Sequence, residues 1–222
     1  MTLTQPLTRR VIDSIPIAVF VALFLYIGLN SANFLTLATW ELILKQAVPV
    51  VVVAVGLATV IVAGGDDVVS GGIDLSIPAT ATVCAAIIAD QLTNHDTAVA
   101  VALILALGAA AVVGAVNATL VVRVGMTPLL ATLATSVAVV GVTKVITESR
   151  RIGVSDATIL FVRDGRIVGV PVSIVMMALI ALAFWHLVHR TKWGMHLQAT
   201  GGSRDAAEIS GIATRRLVAL SF

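Results

Sequence analysis

The sequence predicts an all-α polytopic membrane protein, with about six transmembrane helices and the start of a seventh. Two observations carry that expectation. Of 222 residues, 59% are hydrophobic and 12% charged, and the mean hydropathy is +1.05. Soluble domains run nearer 45–50% apolar and about 25% charged. Apolar runs also recur along the chain, each near the roughly 20 residues that a membrane-crossing helix needs. This much apolar surface cannot be hidden inside one water-facing globule, which excludes a soluble enzyme, a nucleic-acid binder and a disordered chain. A formal net charge of +2 is too small to indicate a polyanion partner, so no nucleic acid is expected. The single cysteine, Cys84, lies in an apolar run, cannot form an internal disulfide and reads as a small buried residue.

Arg9 and Arg10 precede the first run, Val11 to Leu29. It is long for a signal peptide's apolar core and is followed by more spans, so it reads as a transmembrane helix. Ser31 to Gln46 is less apolar. It places Leu37, Trp40 and Leu44 on one helical face and pairs Glu41 with Lys45 one turn apart, as in a short interfacial segment. The second span runs from about Val48 to Val62 and stops at Gly64-Gly65-Asp66-Asp67. The third begins near Ser76 and fades at Asp90. The fourth covers about Thr97 to Val122, with Asp96 as its expected N-cap, and the fifth Pro128 to Ile146.

A polar stretch from Glu148 to Gly169 leads to the sixth span, Pro171 to Leu187, with Pro171 suited to the first helical turn. Within that stretch, Ile159 to Arg163 and Arg166 to Val170 flank Asp164-Gly165, a dipeptide that favours a type I′ turn and predicts a β-hairpin. If the N-terminus is cytoplasmic, Arg9, Arg10, Arg123, Arg190, Lys192, Arg204, Arg215 and Arg216 fall inside. Lys45, Lys144, Arg150, Arg151, Arg163 and Arg166 then fall outside. The excess leans towards that orientation, most of all through the cluster after the sixth span.

Ion-coupled carriers keep ionisable residues deep in a span because a charge there is costly. The second, fourth and sixth spans carry none, and Asp13, Asp90 and Lys144 lie near span ends, which argues against proton or sodium coupling and against a stand-alone carrier. No lysine follows a glycine as a P-loop requires, so this chain is expected to bind no ATP itself. His186 and His189 lack a third ligand nearby, and no metal is expected.

Uncharged polar residues are more informative. Ala106, Ala110, Gly114 and Ala118 recur every fourth residue, a stripe that lets helices approach closely, and Asn117 lies beside it. Thr132, Ser136 and Thr143 share a face of the fifth span, with Thr135 next to it. Two readings stay open for these hydroxyls: bonding the carbonyl one turn back, or hydrogen-bonding a polar solute on a pathway.

Gly71-Gly72-Ile73-Asp74-Leu75-Ser76 reads as a helix break with a cap from Asp74 or Ser76. A break at membrane depth is tolerated only inside protein or lining a cavity. After the sixth span, Thr191 to Gly202 reads as a charged loop. It leads into Ser203-Arg204-Asp205-Ala206-Ala207-Glu208-Ile209-Ser210-Gly211, a helix of about two turns with Ser203 as N-cap, Asp205 in its first turn and Gly211 as its stop. So short a helix needs something to dock on.

Four stretches resemble the permease subunits of ribose-type ABC sugar importers. Gly71 to Ser76 is similar to that family's GGIDLS segment. Gly114 to Asn117 followed by Gly125 to Leu133 resembles its fourth-to-fifth-span stretch, and the hairpin ending Gly169-Val170-Pro171 its periplasmic loop. Ala199 to Ile212 resembles its cytoplasmic coupling loop.

The resemblance implies one transmembrane permease domain over residues 1–222, incomplete, with a coupling helix at 203–211. Gly201, Ser203, Asp205, Ala206, Ala207, Ser210 and Gly211 would meet an ABC ATP-binding subunit, and Gly72, Asp74, Ser76, Asn117, Thr132, Thr135 and Ser136 would line the solute pathway. Further implied partners are a second permease copy or paralogue, a periplasmic sugar-binding protein and membrane lipid. ATP and magnesium belong to the ATP-binding subunit, no cofactor to this chain, and the setting is the bacterial inner membrane. In three ways the chain departs from the family pattern: Gly65 to Ser70 looks inserted, Pro78 and Ala118 stand where glycines are usual, and the chain stops at Phe222 as a seventh apolar run begins. The expectation is therefore a truncated permease, with a transport-inactive fragment as the alternative.

Overall fold

The computed structural model describes residues 7–64 and 72–222, with side chains from Ser14 onward. The Gly65 to Ser70 stretch and Gly71 lie outside the described residues. Contacts divide the chain into two compact units, Met1–Ala47 and Val48–Phe222.

The first unit holds α1 (Leu7–Asn30) and the beginning of α2 (Leu37–Gly64). Its tertiary contacts are aromatic: Phe24 meets Phe34 edge-on at 5.4 Å and Trp40 at 6.1 Å, and Phe34 meets Trp40 at 5.9 Å. Such pairs add to simple burial because ring edges and faces carry opposite partial charge. The Glu41–Lys45 pair forms at 3.1 Å. The separate interfacial segment does not: from Leu37 its residues are continuous with the second span in one helix, because no helix-breaking glycine stands between them and Pro49 is accommodated inside the helix.

In the second unit α3 (Ile77–Thr93), α4 (Val99–Val122) and α5 (Pro128–Ile146) pack on one another. Small residues set the spacing. Ala102 and Ala106 of α4 are buried, the Cys84 thiol donates to the Ala106 carbonyl at 3.3 Å, and Ala79, Val83 and Val139 form a core patch. Without a hydrophobic drive between helices in lipid, such close packing is what holds them. Asp96 is not the N-cap of α4; Ala98 is, while Asp96 takes a left-handed φ of 51° in the preceding turn. Two residues, Thr97 and Ala98, separate it from the helix, too far for its carboxylate to serve the first turn.

Outside the bundle, Asp156 caps α6 (Ala157–Asp164), accepting from Thr158 N at 2.8 Å and Ile159 N at 3.2 Å. The hairpin exists but is shifted and shorter than expected. Ile159 to Val162 are helical, Asp164-Gly165 ends that helix, and β1 (Arg166–Ile167) pairs with β2 (Val170–Pro171) around Val168-Gly169. Both turn residues have positive φ, 49° and 81°, as a type I′ turn demands. Pro171 is the N-cap of α7 (Val172–Arg190), one residue ahead of the helix it was expected to begin.

At the end of α7 the Arg190 guanidinium lies 5.5 Å over the Trp185 ring. The stretch expected as a charged loop is instead α8 (Lys192–Gly202), followed by α9 (Arg204–Ile209) and α10 (Thr214–Ser221). The α7–α8 corner needs Gly194, where a methyl would overlap the carbonyls of Leu187 and Val188. Leu197, Leu217 and Val218 then pack on Ala63 from α2, flanked by Val122, Trp193 and Phe222. The expected start of a seventh span thus lies in α10.

Four helices, α2, α4, α5 and α7, are long and apolar enough to cross a membrane, and the described part of α1 and the 17-residue α3 are shorter apolar helices. The chain is a multi-pass, predominantly helical membrane protein.

Val168 is a β-branched residue in the left-handed region, and its side chain is 98% exposed. Strain of about 1 kcal/mol or more is expected there. Val168→Asn should relieve it, and limited trypsinolysis should show slower cleavage after Arg163 and Arg166.

Candidate functional site

The chain re-enters the described structure at Gly72, pressed against α2. A methyl there would collide with the Val60 carbonyl oxygen, so only glycine permits this approach. Two residues on, the Asp74 carboxylate turns the chain into α3. Its Oδ1 accepts from the Ser76 amide at 2.7 Å and from the Ser76 hydroxyl at 2.6 Å. Ser76 occupies the N-cap position of α3, yet its hydroxyl does not cap the helix. It is taken up by Asp74.

The same hydroxyl accepts from Asn117 Nδ2 of α4 at 2.7 Å. On the other side, Thr132 Oγ1 of α5 accepts from the Leu75 amide at 3.0 Å and donates to the Pro128 carbonyl at 2.8 Å. Asp74, Ser76, Asn117 and Thr132 are each at most 4% exposed. The break is thereby tied to two neighbouring helices through fully buried polar groups. Asn117 lies about 8 Å inside the Val122 end of α4, at 1.5 Å per residue.

Ser76 has one hydroxyl proton, which it gives to Asp74 Oδ1, and its oxygen receives the Asn117 amide N–H. That leaves Asn117 Oδ1 buried with no partner, one of two such side-chain atoms among the described residues; the other is Ser173 Oγ.

The structure therefore brings Gly72, Asp74, Ser76, Asn117 and Thr132 together. Thr135 is buried below them and bonds the Ala131 carbonyl at 2.9 Å, while Ser136 is half-buried outside the knot. Thr132, Thr135 and Thr143 all donate to the carbonyl one turn back, the packing alternative for these hydroxyls. Thr132 also receives the Leu75 amide, a second bond within the protein.

At the coupling segment, Ser203 caps α9 by accepting from Ala206 N at 3.3 Å, Asp205 sits in the first turn, and Gly211 closes the helix with φ 82°. Gly201 falls inside α8, and α9 is six residues long. Ala207 is 4% exposed and faces its own chain, whereas Asp205, Ala206, Ser210 and Gly211 are exposed. Sequence reasoning passed over the most prominent side chain there: Ile209, apolar and 89% exposed in a charged setting. Among the described residues no group of three or more metal-capable side chains converges.

A cavity of about 340 Å³ opens beneath the break. Its walls come from the ends of α2 and α4, the turn into α5, and α9 and α10, with Arg204 and Arg215 on its rim.

A family model described as branched-chain amino acid transport system / permease component matches residues 39–222. Ribose import permease protein RbsC of Escherichia coli (strain K12) is 33% identical over 84% of this chain and 57% of its own length. Galactofuranose transporter permease protein YtfT of the same organism is 31% identical over 81% of this chain and 50% of its own. Fructose import permease protein FrcC of Rhizobium meliloti is 28% identical over 93% of this chain and 58% of its own. The chain thus spans between 50% and 58% of the length of these relatives. No solved structure gives a significant match.

Ser76→Ala should strand Asn117 Nδ2 and remove one of the two bonds to Asp74 Oδ1 while the residue-76 amide keeps the other, at a cost of about 1–3 kcal/mol. In a double-mutant cycle with Asn117→Ala, unfolding in mixed micelles should give a coupling energy of about 1–2 kcal/mol, against near zero for Ser136→Ala with Asn117→Ala.

Proposed function

Since the chain belongs to this family of transport permease components, we propose that it is the transmembrane permease subunit of an ATP-driven ABC importer. Its solute is a monosaccharide, ribose-like or a related sugar, carried into the cytoplasm. The solutes named for the relatives, ribose, galactofuranose and fructose, support this solute class. The partners are an ABC ATP-binding subunit holding ATP and magnesium, a second permease copy or paralogue, and a periplasmic sugar-binding protein. The chain crosses the bacterial inner membrane six times with α1 and α3 among the crossings, the N-terminus and α8–α10 inside and the hairpin outside.

The observation that carries the reading is the build of α9. It is capped at one end by Ser203, closed at the other by Gly211, fastened to its own chain through Ala207, and it presents Ile209 outward. A six-residue helix is not stable alone, so its fastening makes it a rigid contact that can pass a push from the ATP-binding subunit to the bundle. Ile209 is the anchor of that contact, since an exposed aliphatic side chain that enters a pocket on a partner can centre an interface. The Asp74–Ser76–Asn117–Thr132 knot offers carboxylate, hydroxyl and amide groups, which can exchange their mutual hydrogen bonds for sugar hydroxyls as the bundle opens. Thr135 and Ser136 continue that polar line.

Ile209→Asp should lower ATP-driven sugar uptake by proteoliposomes containing all partners at least tenfold, with an unchanged melting temperature because the side chain is exposed. Full uptake by this variant would sink the coupling assignment. Ala207→Arg is the weaker test, since it disrupts the packing of the segment itself. Orientation is checked separately: in a Cys84→Ala background, Ser210→Cys should react with a membrane-impermeant maleimide in inside-out vesicles and stay unlabelled in right-side-out ones.

A further inference from the structure

The cavity beneath the break has a charge pattern that sugar transport does not use. The charged side chains on its described walls are Arg204 of α9 and Arg215 of α10, both cationic. Neither has an ion pair or hydrogen-bond partner among the described residues, and both are exposed. Thr127 and Ser221 add hydroxyls. The remaining lining residues are apolar or glycine, with Val60, Val122, Val218 and Phe222 among them. Thr127 is moreover the N-cap of α5 and makes no side-chain cap bond, so amide N–H groups of that helix's first turn face the same end of the bundle.

Two guanidiniums beside an apolar wall fit an amphiphile that carries a phosphate. Arginine binds phosphate oxygens through a planar fork, and its pairing strengthens where water is partly excluded. The cavity lies where α2 and α4 end, the level at which lipid headgroups meet a spanning helix. Basic pockets between helix ends on the cytoplasmic side are where anionic headgroups bind.

We propose that this cavity is a binding site for an anionic membrane phospholipid, with Arg204 and Arg215 on the phosphate and the acyl chains leaving along the apolar wall. Because Arg204 opens α9, the lipid ties the docking helix to the bilayer. The inner-leaflet placement rests on the orientation proposed above; headgroup recognition in detergent does not, so the two can fail separately.

The test is native mass spectrometry of the full 222-residue chain in neutral detergent with equimolar phosphatidylglycerol and phosphatidylcholine. Phosphatidylglycerol should be retained at least tenfold over phosphatidylcholine. Arg204→Ala with Arg215→Ala should abolish that preference, the paired lysine variants should keep part of it, and Arg216→Ala, exposed on α10 but off the cavity wall, should leave it unchanged. Unchanged preference in the paired alanine variant overturns the proposal. So does inorganic phosphate displacing the lipid at equal concentration, which would make a free anion the ligand. The sequence between Gly64 and Gly72 also carries Asp66 and Asp67. If Asp66→Asn with Asp67→Asn lowers the melting temperature as much as the paired alanine variant, and neither changes lipid retention, those carboxylates are the arginines' partners and the lipid site is overturned.

Discussion

A helix interrupted inside a membrane protein leaves amide and carbonyl groups that lipid cannot satisfy, at several kcal/mol for each one left bare. The rest of this bundle is arranged around that constraint. Asp74 folds back onto Ser76, Ser76 reaches Asn117, and Thr132 takes the Leu75 amide. Helices α3, α4 and α5 therefore meet at a polar knot as well as through apolar packing. Small side chains allow it: with Ala102 and Ala106 buried on the same helix as Asn117, the backbones come close enough for short side chains to bridge them. Larger residues along that face would hold the helices apart and leave the knot unmade.

The two ends of the bundle differ in how much of their fastening is polar. Around the break, buried polar groups impose one register, and one acceptor, Asn117 Oδ1, goes without a donor. Around α8 to α10, Leu197, Leu217 and Val218 pack on Ala63, and bonds from Thr59 to the Ser221 carbonyl, Thr214 to Glu208 and Gln198 to the Val188 carbonyl add to that packing. Hydrogen bonds specify geometry narrowly, and apolar contacts tolerate more variation in the residues that make them.

Much of this was legible in the residues, and the failures have physical causes. Hydropathy needs no partner to be read, and Pro128–Ile146 agrees with the expected fifth span at both ends. The cap at Ser203 and the stop at Gly211 are local chemistry and were equally readable. Ile159 to Val162 misled because a four-residue apolar run suits a strand or a helical turn; the cap residue Asp156 was the deciding signal. Lys192 to Gly202 carries three glycines and reads as loop, but burial of Leu197 holds it helical. The Ser76–Asn117 bond joins residues 41 apart, and nothing local in one sequence announces such a pairing. Ile209 went unremarked because apolar residues are usually inside, and only the structure shows this one turned out.

The stacking of Arg190 over Trp185 bears on something other than helix stability. Indole and guanidinium groups both favour the boundary between acyl chains and headgroups. The pair therefore sets how deeply the end of α7 sits, and the Gly194 corner passes that level on to α8 and α9. The bilayer surface then acts as a gauge for the height at which Ile209 is presented, which makes membrane thickness a variable of the proposed coupling contact.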